Sequence, residues 1–213
     1  MYLLHGFSQS GNTYKVALVL QALGQPWEAR FVDFMNGVTR TQAWREQANE
    51  MGEVPILEHG DRRLTQSGAI MSYLARKHGA YEGASEDEKL EVLRWLLFDN
   101  HKFTSYFATH RFMKAFGPSA PDPAVMAWLR GRMDNALAIV DKHLASREFM
   151  VGKAPTIADF SLCGYLFYPV EESGYELDQR FPHIATWLGR LREMPGWASP
   201  YDLLPGEKIQ PKW

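Results

Sequence analysis

Pro55 interrupts an apolar run, VPILEH, that otherwise has the pattern of a sheet strand. Proline has no N–H, so in mid-strand it leaves a neighbouring backbone group unpaired. A cis Val54–Pro55 bond would expose the N–H and C=O of Val54, and an extended peptide could pair with them like an added strand. The alternative is that an edge strand simply begins at Pro55.

Gln66 and Ser67 open the next helical pattern. Serine is a good N-cap, so one interpretation is that Ser67 only caps the helix. A helix start also offers free N–H groups and the positive end of a dipole, both suited to a carboxylate. The Gln66 amide can accept from an ammonium group. Together the two residues could hold the α-amino and α-carboxylate groups of an amino acid.

A third polar stretch, SQSGNTYK, occupies residues 8–15 and leads into the first helix. Its hydroxyl and amide donors come from Ser8, Ser10, Asn12 and Thr13. Ordinary helix capping by Ser10 or Asn12 also accounts for this composition. In the predicted topology the turn lies beside the Pro55 strand and the helix that starts at Gln66–Ser67.

The elements that must position these stretches alternate between strand and helix patterns over the first 78 residues. Apolar spacing and glycine stops predict the order β-α-β-α-β-β-α, a small mixed sheet with helices. The Gly- and acid-rich segment 79–88 is typical of a linker, and every later pattern is helical. The sequence therefore predicts an α/β domain over 1–79 and an all-helical domain over 86–213.

Charge and cysteine content restrict the possible partners and compartment. The formal net charge is -2, from 23 basic and 25 acidic side chains, which gives no footprint for nucleic acid or an anionic membrane. The single cysteine, Cys163, excludes an internal disulfide and favours a reducing compartment. No signal peptide and no membrane-length apolar run are evident, so we expect a cytoplasmic protein.

In their order and spacing, these stretches resemble the cytosolic glutathione transferase family. NEMGEVPILEHGDRRLTQSGAIMSYLA is similar to the family signature, and TIADFSLCGYL is similar to its N-capping box, with Thr156 as the cap and Asp159 three residues later. FPHIATWLGRLREMPGW resembles the usual last helix. The resemblance covers essentially the whole chain. It implies a thioredoxin-like first domain, a helical bundle as the second, and a homodimer.

The resemblance also implies roles for individual residues. Val54, before the cis-proline, pairs with the backbone of the glutathione cysteine, while Gln66 and Ser67 bind the γ-glutamyl end. The catalytic position holds Ser10 as first candidate and Asn12 as second. Bacterial members that carry Thr or Ser followed two residues later by Asn look most similar.

The sequence departs from the family pattern at several positions. Tyr2 lies too early to be the catalytic tyrosine of some members, and no cysteine follows the first strand, which argues against a mixed disulfide with a protein thiol. Glu53 stands where many members carry Lys or Arg. Arg40 is then the substitute partner for the glycine carboxylate, although an exposed arginine is more often only solvated.

A hydroxyl or amide donor with the first helix's dipole would be enough to stabilise the glutathione thiolate. No metal or further cofactor is required, with glutathione as the co-substrate. We expect the second substrate, a small hydrophobic electrophile, to bind between the domains against the long helix after residue 86. Tyr106 and His110 are the predicted lining residues, although most aromatic side chains in such a helix are core.

Three functions remain open at this point. The first is a transferase that joins glutathione to small electrophiles. The second is a glutathione-dependent reductase of disulfides or organic peroxides. The third is a non-catalytic binding module on the same fold, which the presence of all three polar stretches disfavours.

Overall fold

The computed structural model describes all residues, 1–213, and divides into two compact units. The first unit comprises Met1–Ala80 together with Pro195–Lys208, and the second comprises Tyr81–Met194 together with Ile209–Trp213. The sequence-based boundaries placed 86–213 in one domain. Pro195–Lys208 differs from that expectation because it packs with the first unit, and we call it the return segment.

The first unit is built on a four-stranded sheet in the order β2-β1-β3-β4. The strands are β1 (Tyr2–Gly6), β2 (Trp27–Phe31), β3 (Ile56–His59) and β4 (Arg62–Thr65). β1 pairs parallel with β2 and antiparallel with β3, and β3 pairs antiparallel with β4. The helices are α1 (Gly11–Ala22), α2 (Gln42–Gln47) and α3 (Ser67–His78). The predicted order β-α-β-α-β-β-α is confirmed.

Helix α1 begins where the sequence supplies a cap. The Ser10 hydroxyl accepts from the backbone N–H of Thr13 at 3.1 Å, which satisfies one of the unpaired N–H groups of the first turn. The helix ends before Gly24, whose φ of 61° is a left-handed conformation that glycine adopts without strain. Its middle is fully buried against the sheet, from Val16 to Leu20.

Helix α3 begins differently from the capping interpretation of Ser67. Gln66 occupies the N-cap position with φ 67° and ψ 114°, and Ser67 is the first residue of the helix. A left-handed φ is uncommon for a side chain without a special constraint. The Ser67 hydroxyl does not cap the helix but donates to Asn12 Oδ1 at 3.4 Å.

The second unit is helical throughout, as expected. Its helices are α4 (Glu86–Phe98), α5 (Thr104–Arg111), α6 (Pro123–Leu144), α7 (Ile157–Cys163), α8 (Val170–Ser173), α9 (Leu177–Arg180) and α10 (Pro182–Arg192). A last short helix, α11 (Pro200–Leu203), belongs to the return segment of the first unit. None of these helices has the combined length and apolar character of a membrane span.

The long helical pattern after residue 86 is divided by a π-helical turn, Asp99–Phe103, between α4 and α5. The buried Asp99 carboxylate accepts from Thr104 at 2.6 Å and from Ser161 of α7 at 2.5 Å. The extra residue of the π turn changes the direction of the Asp99 side chain, which then contacts Ser161 of α7.

The predicted capping box at the start of α7 is present. The fully buried Asp159 carboxylate accepts from the Thr156 N–H at 2.8 Å, and the Thr156 hydroxyl accepts from the N–H of Ala158. Asp159 also accepts from the Met150 N–H at 2.8 Å and from Trp187 Nε1 of α10 at 2.9 Å. One carboxylate therefore joins three segments of the second unit. Burial raises its pKa, while these donors oppose the rise.

Candidate functional site

The three polar stretches meet at one edge of the sheet in the first unit. The register His5↔Ile56 sets the turn after β1 beside Val54–Pro55, and the register Ile56↔Thr65 sets Gln66 beside Pro55. The bond from Ser67 to Asn12 links the starts of α3 and α1 at this edge. Two helix N-termini and the end of a strand thus surround the same place, which favours an anionic, extended ligand.

Val54 presents unpaired backbone groups at this edge. The Val54–Pro55 bond is cis, and β3 begins only at Ile56. Neither the N–H nor the C=O of Val54 makes a hydrogen bond within the protein. A hydrogen bond from Asn49 Nδ2 to the Glu53 carbonyl, 2.9 Å long, fixes the loop that precedes Val54. A fixed residue with a free donor and a free acceptor can pair with the backbone of a peptide.

The orientation of the Gln66 amide is set by its neighbours. Gln66 Nε2 donates to Glu53 Oε2 at 2.9 Å and to Met51 Sδ at 3.1 Å. An ionised carboxylate only accepts, so the NH₂ end of Gln66 must face Glu53. The Oε1 of Gln66 is consequently free to accept from another donor, such as the ammonium group of an amino acid.

The first two residues of the SQSGN turn use their donors internally. The Ser8 N–H donates to the Pro205 carbonyl at 2.8 Å, and the Ser8 hydroxyl donates to the Gly206 carbonyl at 3.2 Å. Gln9 Nε2 donates to the Glu207 carbonyl at 2.6 Å. All three acceptors lie in the return segment. Ser8 and Gln9 therefore have these donors committed to the protein itself.

Ser10 and Asn12 keep a donor that no protein group takes up. Ser10 Oγ accepts from Thr13, which leaves its hydroxyl hydrogen available, and Asn12 Oδ1 accepts from Ser67, which leaves Nδ2 available. The Thr13 hydroxyl is also without a partner, but it is fully buried beneath Gly6. Of the four donor residues proposed from the sequence, only Ser10 and Asn12 combine an unused donor with some solvent exposure, and their role stays a prediction.

Arg40 is not joined to this cluster by any hydrogen bond. It ends a 3₁₀ turn, Val38–Arg40, and is exposed to solvent. A long exposed arginine can approach a ligand carboxylate without a preformed contact, and its assignment stays a prediction.

Tyr106 and His110 both lie on α5 of the second unit. Tyr106 packs edge-on against Trp128 with ring centroids 5.8 Å apart. His110 is only 3% exposed and packs against Tyr175, with its Nδ1 atom lacking a hydrogen-bond partner. Burial, with Arg130 and Lys114 nearby, lowers the pKa of His110 to about 4.

A cavity of about 480 Å³ lies in the second unit, between the end of α7, α8, α9 and α10. Phe107 of α5 reaches it, whereas Tyr106 and His110 do not line it. Its aromatic and cationic lining residues are Phe107, Tyr165, Phe167, Tyr168, Tyr175 and Arg192. The aromatic run YLFY, residues 165–168 after α7, supplies much of this lining and is the sequence signal for the cavity.

No group of three or more His, Cys, Asp or Glu side chains is arranged to hold a metal ion. Cys163 is buried in α7, and its thiol lies 3.5 Å from the Phe160 carbonyl.

Two family models match the chain. The N-terminal domain of glutathione S-transferase matches residues 4–83, and the C-terminal domain matches residues 101–195. Human glutathione S-transferase theta-2B is 31% identical over 181 residues, which cover 81% of this chain and 73% of that protein. The chain therefore belongs to the glutathione transferase family. Elongation factor 1-gamma of Prunus avium is 27% identical over 90% of this chain and 46% of that longer protein.

Solved structures show the same architecture over nearly the full length. A glutathione S-transferase from Pseudomonas fluorescens superposes with a TM-score of 0.84 at 32% identity, covering 93% of this chain and 98% of that one. The glutathione transferase URE2P6 from Phanerochaete chrysosporium, in complex with oxidised glutathione, superposes with a TM-score of 0.83 at 25% identity, covering 94% of each chain. The predicted fold class, a thioredoxin-like domain followed by a helical domain, is confirmed.

Proposed function

We propose that this protein is a glutathione transferase, an enzyme that binds glutathione along the first unit and stabilises its thiolate for attack on small electrophiles. The observation that carries the proposal is the meeting of the unpaired Val54 backbone, the free Gln66 Oε1 and the free Ser10 and Asn12 donors at one sheet edge.

The tripeptide fits these groups in one direction. The cysteine residue of glutathione pairs with the N–H and C=O of Val54, as an added strand would. Its γ-glutamyl head reaches the start of α3, where Gln66 Oε1 accepts from the ammonium group and the Ser67 region holds the α-carboxylate. Arg40 is the proposed partner of the glycine carboxylate.

Thiolate stabilisation requires only modest energy. A thiol with an ordinary pKa of about 8.5 needs about 2.7 kcal/mol of selective stabilisation to fall by about two units. A hydrogen bond to a charged acceptor contributes about 1.5–3 kcal/mol, and a helix N-terminus adds about 0.3–1 kcal/mol. Ser10 at the start of α1 offers both, with Asn12 as the second donor. This pairing is the basis for proposing a bacterial member of the Ser/Asn type.

Reduction of disulfides or organic peroxides by bound glutathione is the second candidate. The oxidised glutathione in the Phanerochaete relative favours it, because a disulfide occupies a protein of this fold. The protein would hold the glutathione thiolate with the same Ser10 and Asn12 donors. Cys163 is not available for a mixed disulfide because it is buried in the second unit.

A non-catalytic binding module is the third candidate, and the similarity to elongation factor 1-gamma supports it. The unused donors of Ser10 and Asn12 favour an enzyme instead, because a scaffold has no need for unsatisfied polar groups at this edge.

We also propose a cytoplasmic homodimer that binds neither nucleic acid nor membranes. An exposed leucine stripe on α4 supports the dimer, since Leu90, Leu93 and Leu97 are 65%, 50% and 63% exposed and lie on one helical face. We propose that Tyr106 and His110 contribute to the second-substrate pocket. The KM of variants at these two positions for the electrophile tests this role.

Calorimetry with reduced glutathione tests the proposed function. We expect binding at millimolar concentration or below, and well-folded protein that takes up no glutathione would contradict all enzymatic versions of it. Paired assays with an aromatic halide and with a mixed disulfide of glutathione then separate transferase from reductase.

A further inference from the structure

We propose that the return segment is a positioning element of the candidate thiolate site, anchored by hydrogen bonds from Ser8 and Gln9. This inference rests on the proposed function and concerns how the SQSGN turn is held. The segment does not contact the thiol itself. It fixes the two residues that precede Ser10, and through them the direction of the Ser10 hydroxyl.

Three hydrogen bonds join the turn to Pro205–Glu207, two from Ser8 and one from Gln9. With the segment in place Ser8 is fully buried and Gln9 is 5% exposed, so these hydrogen bonds are shielded from competing water. The two side-chain contacts join residues 198 positions apart in the chain, and the backbone contact joins Ser8 to Pro205. The local sequence of the turn therefore cannot supply them.

The turn is also held from its other side. The Ser10 N–H donates to the Phe7 carbonyl at 3.0 Å, and Ser10 adopts φ -87° and ψ 104° as the N-cap of α1. With Phe7 on one side and the return segment on the other, the backbone that enters Ser10 has little freedom. A donor held in one direction is effective toward a charge that develops at one place.

The close contact between the return segment and Ser8 requires a glycine at position 206. Its φ is +119°, a conformation that side chains rarely adopt, and a Cβ there would lie 3.1 Å from Ser8 Oγ and 3.2 Å from Phe31 Cε2. A residue larger than glycine at this position is strained and must displace Ser8 Oγ or the Phe31 ring by a few tenths of an ångström, which disturbs the contact between the segment and the turn.

The rest of the return segment is anchored along α1, the helix that starts at the site. Tyr14 Oη donates to the Ala198 carbonyl at 2.8 Å, and a Cβ at Gly196 would lie 3.2 Å from the Gln21 carbonyl oxygen. The segment therefore follows α1 to its N-terminal end and delivers three carbonyl groups to the turn there.

The decisive variant is Gln9→Glu, which keeps the size of the side chain but sets a carboxylate against the Glu207 carbonyl. We expect the glutathione dissociation constant to change less than about twofold, because Val54, Gln66 and Ser67 are untouched. The pKa of the bound thiol, followed by ultraviolet absorbance of the thiolate against pH, should rise by about one unit, and kcat should fall about tenfold. A loss of folding would lower binding and turnover together, and Gly206→Ala, which adds no charge near the thiol, shows whether the added carboxylate alone accounts for the shift.

Gln25→Glu is the matched control. Gln25 Nε2 also donates to a backbone carbonyl, that of Leu23 at 3.2 Å, but away from the site. It should leave the thiol pKa and kcat unchanged. Gly206→Ala is the independent second variant and should raise the thiol pKa and lower kcat as Gln9→Glu does. If Gln9→Glu does not fold, the result for Gly206→Ala tests the positioning role by itself.

The outcomes are distinct. If the unaltered chain does not bind glutathione, the proposed function is wrong and this inference falls with it. If the unaltered chain binds glutathione and both variants leave the thiol pKa unchanged, or weaken binding as much as turnover, only the positioning role is wrong.

Discussion

Gln66 Nε2 and Glu53 Oε2 lie 2.9 Å apart, and this bond decides which end of the Gln66 amide a ligand meets. Many members of the family carry Lys or Arg at the position of Glu53, and a basic side chain would attract the carbonyl end of an amide. Here the carboxylate attracts the NH₂ end instead. The free Oε1 is thus a consequence of the charge at residue 53.

Reversing that charge should reverse the amide. In Glu53→Lys the ammonium group only donates, so Gln66 turns its Oε1 toward residue 53 and its NH₂ toward the ligand. Because both side chains are exposed, we expect a loss of about 1 kcal/mol, or about fivefold, in glutathione affinity. Glu53→Gln can still accept the original bond and should lose less.

A glutathione analogue without the α-amino group provides the test of that reversal. Calorimetry should find that Glu53→Lys weakens glutathione more than it weakens the des-amino peptide. Equal losses for the two peptides would mean that residue 53 does not act through Gln66.

Ser10→Ala should mainly slow turnover. Removing the donor costs part of the thiolate stabilisation, so we expect kcat to fall about tenfold or more while the glutathione dissociation constant stays within about twofold. Stopped-flow or steady-state kinetics and calorimetry together measure this. If Ser10→Ala is silent and Asn12→Ala abolishes activity, then Asn12 is the main donor.

Ser10 is also the N-cap of α1, and its removal should cost about 1 kcal/mol of stability. Ser85→Ala is the control, because Ser85 caps α4 in the same way by accepting from the Glu88 N–H at 3.2 Å. Urea unfolding should show similar losses for both variants, with an effect on kcat only for Ser10→Ala.

Much of this arrangement follows from local sequence. Apolar spacing and glycine stops predict the four strands and three α-helices between Tyr2 and His78, and Thr156 with Asp159 predicts the capping box of α7. The meeting of the three polar stretches follows from strand order, since strands β1, β3 and β4 must pair to bury Leu4 and Leu57.

What the sequence does not disclose depends on distant partners. Pro195–Lys208 has no strong periodicity, and its place is decided by carbonyl acceptors for Ser8 and Gln9. The π turn at Asp99 depends on Ser161, which is 62 residues away. Gln66 takes the N-cap position that Ser67 would be expected to hold, because the bend at the end of β4 needs a left-handed residue there.

His110 should make the protein less stable in acid. Its pKa is about 4 in the folded state and about 6.5 when unfolded, so the unfolded chain binds the extra proton first. The full stability is therefore present above about pH 6.5, and it falls as the pH drops toward 4. The contribution lost by pH 4.5 is about 2–3 kcal/mol.

His110→Phe removes the titration and keeps an aromatic ring against Tyr175. Urea unfolding at pH 7 and at pH 4.5 should show a smaller difference for this variant than for the unaltered chain. An unchanged pH dependence would show that another group governs acid unfolding, and the variant's kinetics also test whether His110 serves the second substrate.

Leu93→Glu should separate the proposed dimer. Leu90, Leu93 and Leu97 form an apolar face of α4 that a second copy of the chain would cover, and a carboxylate at its centre would be buried without a partner. Sedimentation velocity should find a dimer for the unaltered chain and a monomer for the variant. Val170→Glu places the same charge on a residue of the second unit that is 46% exposed and outside the stripe, and it should remain dimeric. A monomeric unaltered chain, or a Leu93→Glu variant that still dimerises, would mean that the leucine stripe is not the contact between copies.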